Sequence, residues 1–237
     1  MSDTLRRGDE DQCELQVRIG RGMRKLPLVE LPDEYLEWSF GRRREDLRAW
    51  REGRMPPLAG PHCAAVASFG AREPGSVFTI NNAVKGIGWL PRVEHIEEMT
   101  RELEHTQSDA WPEKLNRLEA WYQRGAELFD RRRQCSLELF TQSGRETQTY
   151  RNMMRDPRVS LVFFDMAHSF ELHCIAHVLD PDDRHLSVHE QQVVRYTNAV
   201  HDYIHGSDGR RKLAVIYHVV AVYDNSPGSG RGRRLAP

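Results

Sequence analysis

Apolar residues recur at helical spacing in some stretches and alternate in others, and their order points to a fold class. Tyr35, Leu36, Trp38, Phe40, Leu47 and Trp50 fit one helix, which Pro32-Asp33 opens and Met55-Pro56-Pro57 ends. His62–Phe69 is a short apolar run, 70–75 reads as a turn, and Ser76-Val77-Phe78-Thr79-Ile80 is β-rich, which together predict a hairpin. Residues 81–92, with Gly86, Gly88 and Pro91, read as a loop. Residues 93–133 carry two helices with a break near Trp111-Pro112, and the run Arg131-Arg132-Arg133 fits a helix C-terminus.

Strands dominate the rest. Residues 136–141 alternate, 147–155 suit a short helix halted by Asp156-Pro157, and 159–164 form an apolar strand. Residues 170–178 alternate again. Residues 186–205 fit a helix stopped by Gly206, and 213–223 a final long strand before a Gly/Pro/Arg tail. This order predicts an α+β protein built on a mainly antiparallel sheet or barrel. Its expected parts are an N-terminal helical arm (1–60) and a barrel domain (61–237) with a helical insertion at about 88–133.

Composition narrows the function. The 237 residues suffice for a sizeable core, and 34 basic residues balance 35 acidic ones to a net charge of −1. Neither nucleic acid nor an acidic membrane surface is an expected partner. No apolar run is long enough to span a bilayer, and the polar first residues show no signal region, so a cytoplasmic address is expected. Cys13, Cys63, Cys135 and Cys174 make no CxxC pair and are expected as reduced thiols. All basic residues except Lys25, Lys85, Lys114 and Lys212 are arginine, a bias read first as base composition.

The stretch 137–165, LELFTQSGRETQTYRNMMRDPRVSLVFFD, resembles the pyridoxamine 5'-phosphate oxidase-like family of FMN-binding split barrels. Phe140-Thr141 matches the aromatic-Thr end of that family's strand. Asp156-Pro157-Arg158-Val159-Ser160-Leu161 matches its following strand. The resemblance covers roughly 61–80 and 135–237 and implies a split-barrel homodimer with FMN at the interface. FMN-dependent oxidoreduction of a small organic substrate would follow.

On that resemblance the flavin-binding candidates are Phe140, Thr141, Arg145, Thr147, Gln148, Thr149 and Arg151. Where the family has Ser/Thr-Arg-Lys this chain has Thr147-Gln148-Thr149, so two phosphate-binding cations are missing. Thr147 also fits a plain helix cap. The substrate-binding Arg/His segment is absent too, which argues against pyridoxamine phosphate oxidation itself. Trp89, His173 and His177 are the substrate-pocket candidates, Trp89 from its Gly/Pro-bracketed loop and the histidines because imidazole titrates near neutrality. His201/His205 is the best-spaced pair for a metal but lacks an identifiable third ligand, and no metal site is assigned. Two alternatives stand beside the flavoenzyme: a cofactor-free split barrel that binds or builds, and a haem- or metal-binding variant of the same fold.

Overall fold

The computed structural model describes residues 5–6, 14–70, 77–228 and 232–236. Cys13, the turn residues 71–75, Ser76, Arg231 and Pro237 lie outside the described residues. The strands are β1 (Leu5–Arg6), β2 (Glu14–Ile19), β3 (Gly22–Pro27), β4 (Cys63–Phe69), β5 (Ile80–Gly86), β6 (Gly88–Pro91), β7 (Phe129–Glu138), β8 (Arg158–Phe164), β9 (Ser169–Leu179), β10 (Leu213–Asp224) and β11 (Arg233–Ala236). The helices are α1 (Asp33–Arg51), α2 (Val93–His105), α3 (Trp111–Gln123), α4 (Gly125–Leu128), α5 (Gln148–Arg155) and α6 (Val188–His205).

One sheet carries the fold, in the order β5-β4-β8-β9-β10-β7-β6, with β11 added beside β10; every pairing is antiparallel. Its two end strands, β5 and β6, are separated in the chain by Ile87 alone. The run 80–91 therefore pairs with β4 along its first half and with β7 along its second. That single segment draws the sheet round into an α+β half-barrel.

Alternation sorts the side chains. Ala64, Val66 and Ser68 of β4, Val159, Leu161 and Phe163 of β8, and Phe170, Leu172 and Cys174 of β9 are all buried on the inward face. Helix α1 closes one end of the barrel: Tyr35 meets Phe163 and Phe170 edge-on, at 5.8 and 5.3 Å between ring centroids. Helix α5 closes the other, where Asn152 donates to Ser68 at 3.1 Å and Asn81 donates to Thr149 at 2.8 Å.

Three expectations are corrected. The N-terminal region is not only a helical arm: residues 14–27 form a hairpin whose Leu15 and Val17 cover Ile175 on the outer face of β9. The signal was present, since Leu15, Val17 and Ile19 alternate ahead of Gly20, whose φ of 61° suits a tight turn. The insertion is narrower than 88–133: its helices occupy 93–128, while 88–91 and 129–138 are strands of the main sheet. Arg131, Arg132 and Arg133 thus lie in β7 and end no helix. Arg131 reaches Asp33, the first residue of α1, at 2.6 Å, and Arg132 reaches Glu30 just before that helix at 2.8 Å.

The loop read at 81–92 is also strand. Its pattern is inverted: Asn81, Ala83 and Lys85 turn inward, while Ile80 and Val84 are exposed on the outside. A strand with polar residues facing in and apolar ones facing out does not look like a strand when a solvent-facing exterior is assumed.

Candidate functional site

The turn between β7 and α5 brings part of the expected cofactor constellation together. Thr147 is the N-cap of α5: its Oγ1 accepts from the Tyr150 backbone N–H at 3.2 Å. The same hydroxyl donates to Glu138 Oε2 at 3.2 Å and lies 3.0 Å from the Thr141 hydroxyl. Thr141 Oγ1 also reaches Glu138 Oε2, at 3.5 Å, so each hydroxyl has the carboxylate or the other hydroxyl as its acceptor. Both hydroxyl protons are thereby committed. Lys85 closes the group with an ion pair to Glu138 Oε1.

Glu138 is the residue missed in the sequence. It is 2% exposed, on the inward face at the end of β7. In the alternating run 136–141 it reads as one polar position of an ordinary strand. Lys85, read there as a loop residue, lies on β5 with its side chain 12% exposed. The seat beneath the turn is therefore an assembled ion pair with two saturated hydroxyls, Glu138 at its centre.

The other flavin candidates scatter from this point. Thr149 is 2% exposed and accepts from Asn81, beside the barrel interior. Gln148 and Arg151 join a separate chain on α5, in which Arg151 donates to Gln148 at 2.8 Å and Gln148 to Asn152 at 3.0 Å. Arg145 is exposed in the turn. Phe140 is 81% exposed.

The substrate-pocket trio falls in three places. Trp89 is not on a lid loop: it is 2% exposed on β6, ring against Phe40 at 4.6 Å, its Nε1 donating to Ser39. Its glycine and proline neighbours bracket a buried strand. His173 is on the outer face of β9, 3.0 Å from Glu171 and 4.9 Å between ring centroids from Tyr223. Burial raises the Glu171 carboxyl, but hydrogen bonds from Ser160 and His173 outweigh it and hold it below the usual range. His177 faces His218 with ring centroids 6.2 Å apart, near Glu190 of α6.

Other reactive groups are quiet. Burial pushes the Cys135 thiol up to about 12 and Cys174 further, so neither supplies a thiolate near neutral pH. His201 and His205 have ring centroids 5.1 Å apart. Among the described residues no group of three or more His, Cys, Asp or Glu is placed to hold a metal ion. Among those residues no helix is long and apolar enough to cross a membrane. A groove of about 1040 Å³ lies apart from the site, between α2, α6 and the segment 181–186. Its Arg195 is already paired with Glu97 and Glu104.

No protein-family model matches the chain, and no curated protein matches it in sequence. Solved structures do. HupZ from Group A Streptococcus is 15% identical, with a TM-score of 0.40, over 74% of this chain and 94% of that one. A Clostridium acetobutylicum protein related to general stress protein 26 of B. subtilis (pyridoxinephosphate oxidase family) is 11% identical, with a TM-score of 0.39. That match covers 87% of this chain and 96% of the other. Likeness at this level carries no argument about ligand or activity; the half-barrel assignment stands on the strand order above.

Proposed function

We propose that this chain is a homodimeric split-barrel binding protein for a small organic ligand, and that it does not hold the phosphate of FMN beneath the turn after β7. One observation carries the reading: the Glu138 carboxylate occupies that seat. A phosphate there needs donors, and the Thr141 proton, the Thr147 proton and Lys85 are all engaged within the chain. It would also face a buried carboxylate. Lys85 balances that carboxylate, so the seat offers a phosphate no uncompensated positive charge. FMN does not fit these residues, and no flavin chemistry is assigned to them.

The test is a titration of FMN and of riboflavin against the wild type and Glu138→Gln. The amide keeps the shape and removes the charge. The expected result is no measurable FMN binding to the wild type and at least about tenfold tighter FMN binding to E138Q, with riboflavin unaffected. Micromolar FMN binding to the wild type that E138Q leaves unchanged would refute the reading.

The partner in this reading is a second copy. The outer face of β5, β4 and β8 carries Ile80, Val84, Ala65, Ala67, Val162 and Phe164, with Ile80 68% and Val84 70% exposed. Exposed Phe78, Phe140 and Met154 extend the apolar surface around the site. The net charge of −1 sets little repulsion between copies. A stable two-fold contact across it would need about 800 Å² from each subunit. Sedimentation at micromolar concentration should show a dimer, and Val84→Lys a monomer with unchanged secondary structure. A wild-type monomer under those conditions rules the contact out.

A further inference from the structure

The near-zero net charge is unevenly placed. The hairpin of β2 and β3 carries Arg18, Arg21, Arg24 and Lys25 against Glu14, a net of +3, so the rest of the chain carries −4. All four cations are exposed. Lys25 lies 3.9 Å from Glu14. Arg18, Arg21 and Arg24 have no acidic partner among the described residues. Elsewhere the arginines are answered: Arg48 and Arg51 by Glu119, Arg117 by Asp109, Arg195 by Glu97 and Glu104.

Register decides which way the cations face. Residues opposite each other in an antiparallel pair share a face. Arg24 is opposite Val17, Arg18 opposite Met23, and Lys25 opposite Gln16. Arg24 therefore lies on the Val17 face and Arg18 and Lys25 on the other, while Arg21 stands in the turn. Leu15 and Val17 pack on Ile175 and hold the base of the hairpin to the barrel. From Gly20 to Lys25 every residue is exposed, Met23 among them. The end of the hairpin is thus a narrow ribbon on a packed base, with unanswered cations on both faces and at the tip.

We infer that this ribbon binds duplex DNA by entering the major groove tip first, its arginines meeting the phosphates on either side. That groove, about 12 Å wide and 8.5 Å deep, admits a two-stranded ribbon. At about 3.4 Å per residue, Arg18 and Arg24 lie within roughly 10 Å of the tip, a reach that matches the groove depth. A groove has two anionic walls and meets cations on two faces. A flat anionic surface meets those of one face only. Phosphate contacts position a protein without reading sequence, so the binding is independent of sequence.

The test is fluorescence anisotropy of a labelled 20-base-pair DNA duplex with the full chain, beside a single strand of the same length and phosphatidylserine vesicles. The wild type should bind the duplex with a Kd in the micromolar range at 50 mM salt. Three to four phosphate contacts should weaken it about 20- to 50-fold at 150 mM salt. Arg18→Glu with Arg24→Glu should weaken duplex binding at least about tenfold at 50 mM salt, with circular dichroism unchanged. Arg184→Glu with Arg210→Glu makes the same change in net charge at two exposed arginines away from the hairpin, and should bind within about twofold of the wild type. Should the hairpin variant not fold, Arg21→Ala in the exposed turn carries the test through a salt slope smaller by about one. The proposal is overturned by a wild type that does not bind the duplex at about 100 μM protein, the weak end of non-specific DNA binding. It is overturned equally by a control variant that loses as much as the hairpin variant, by a single strand bound as tightly as the duplex, or by vesicles bound in preference to it. FMN does not enter this test, so its outcome is separate from that of the Glu138 reading.

Discussion

Replacing Arg43 by alanine is expected to lower the stability of the folded chain by about 4 kcal/mol, the largest effect of any single substitution considered. Arg43 is 7% exposed in the middle of α1. Its Nη2 donates to the Pro61 carbonyl at 2.6 Å and to the Ile87 carbonyl at 2.7 Å, and its Nη1 to the Tyr122 hydroxyl at 3.2 Å. One guanidinium thus ties the helix closing the barrel to the start of β4, to the residue joining β5 and β6, and to α3. The alanine variant strands two buried carbonyls, and each lost bond to a charged group is worth about 1.5–3 kcal/mol. Arg43→Lys cannot serve three acceptors in a fork and should recover less than half of the loss. Urea denaturation of the three proteins checks this. A loss below about 1 kcal/mol for R43A would show that α1 is not anchored there.

The second large effect is acid lability at pH values where carboxylates are still ionised. Burial, with Arg43 and Arg42 nearby, pushes the His62 imidazole down to about 4. It lies 3.7 Å from Asp46 Oδ2, beyond hydrogen-bond range, and that carboxylate does not restore its charge. Burial, then Arg133, His177 and His189, holds His218 well below its ordinary value. Both folded values lie below the unfolded value near 6.5, so the unfolded chain binds more protons in between. Stability is complete above about pH 6.5 and falls as the pH drops toward 4. His62 accounts for at most about 3 kcal/mol of that loss and His218 adds to it. Asp46, raised by burial, acts in the opposite sense. Asp165, held at about 2 because bonds from Trp38, Ala167 and His168 outweigh its burial, titrates below that range. Denaturation midpoints at pH 7.5, 6 and 5 should fall steadily, and His62→Gln with His218→Phe should flatten the fall. A midpoint independent of pH across that range contradicts the assignment.

The elements that packing alone dictates were legible in the sequence. α5, β8, β9, α6 and β10 lie within two residues of their expected ends, because their apolar periodicity serves one core. Thr147 and Gly206 cap as their chemistry suggests, Gly206 with φ 81°. The illegible parts are those whose polarity is set by something beyond a solvent-facing surface. β5 faces its lysine and asparagine inward and its valine and isoleucine outward. Strand β7 carries Arg131 and Arg132 because Asp33 and Glu30, at the start of α1 and just before it, lie beside it.

The side-chain cluster at the turn was only partly legible in the sequence. The turn at 141–147 was found through its threonines, which do converge. The carboxylate they converge on lies three residues before Thr141, and the lysine balancing it is 53 residues earlier than Glu138. No local spacing connects the two; only the wrapping of β5 against the end of β7 does.

The central claim, that Glu138 excludes the FMN phosphate, is tested most directly by a visible absorption spectrum of the purified protein before and after FMN addition and desalting. The account predicts no retained flavin absorbance in either sample. A stoichiometric flavin spectrum that survives desalting, and is not displaced by excess riboflavin, would contradict it.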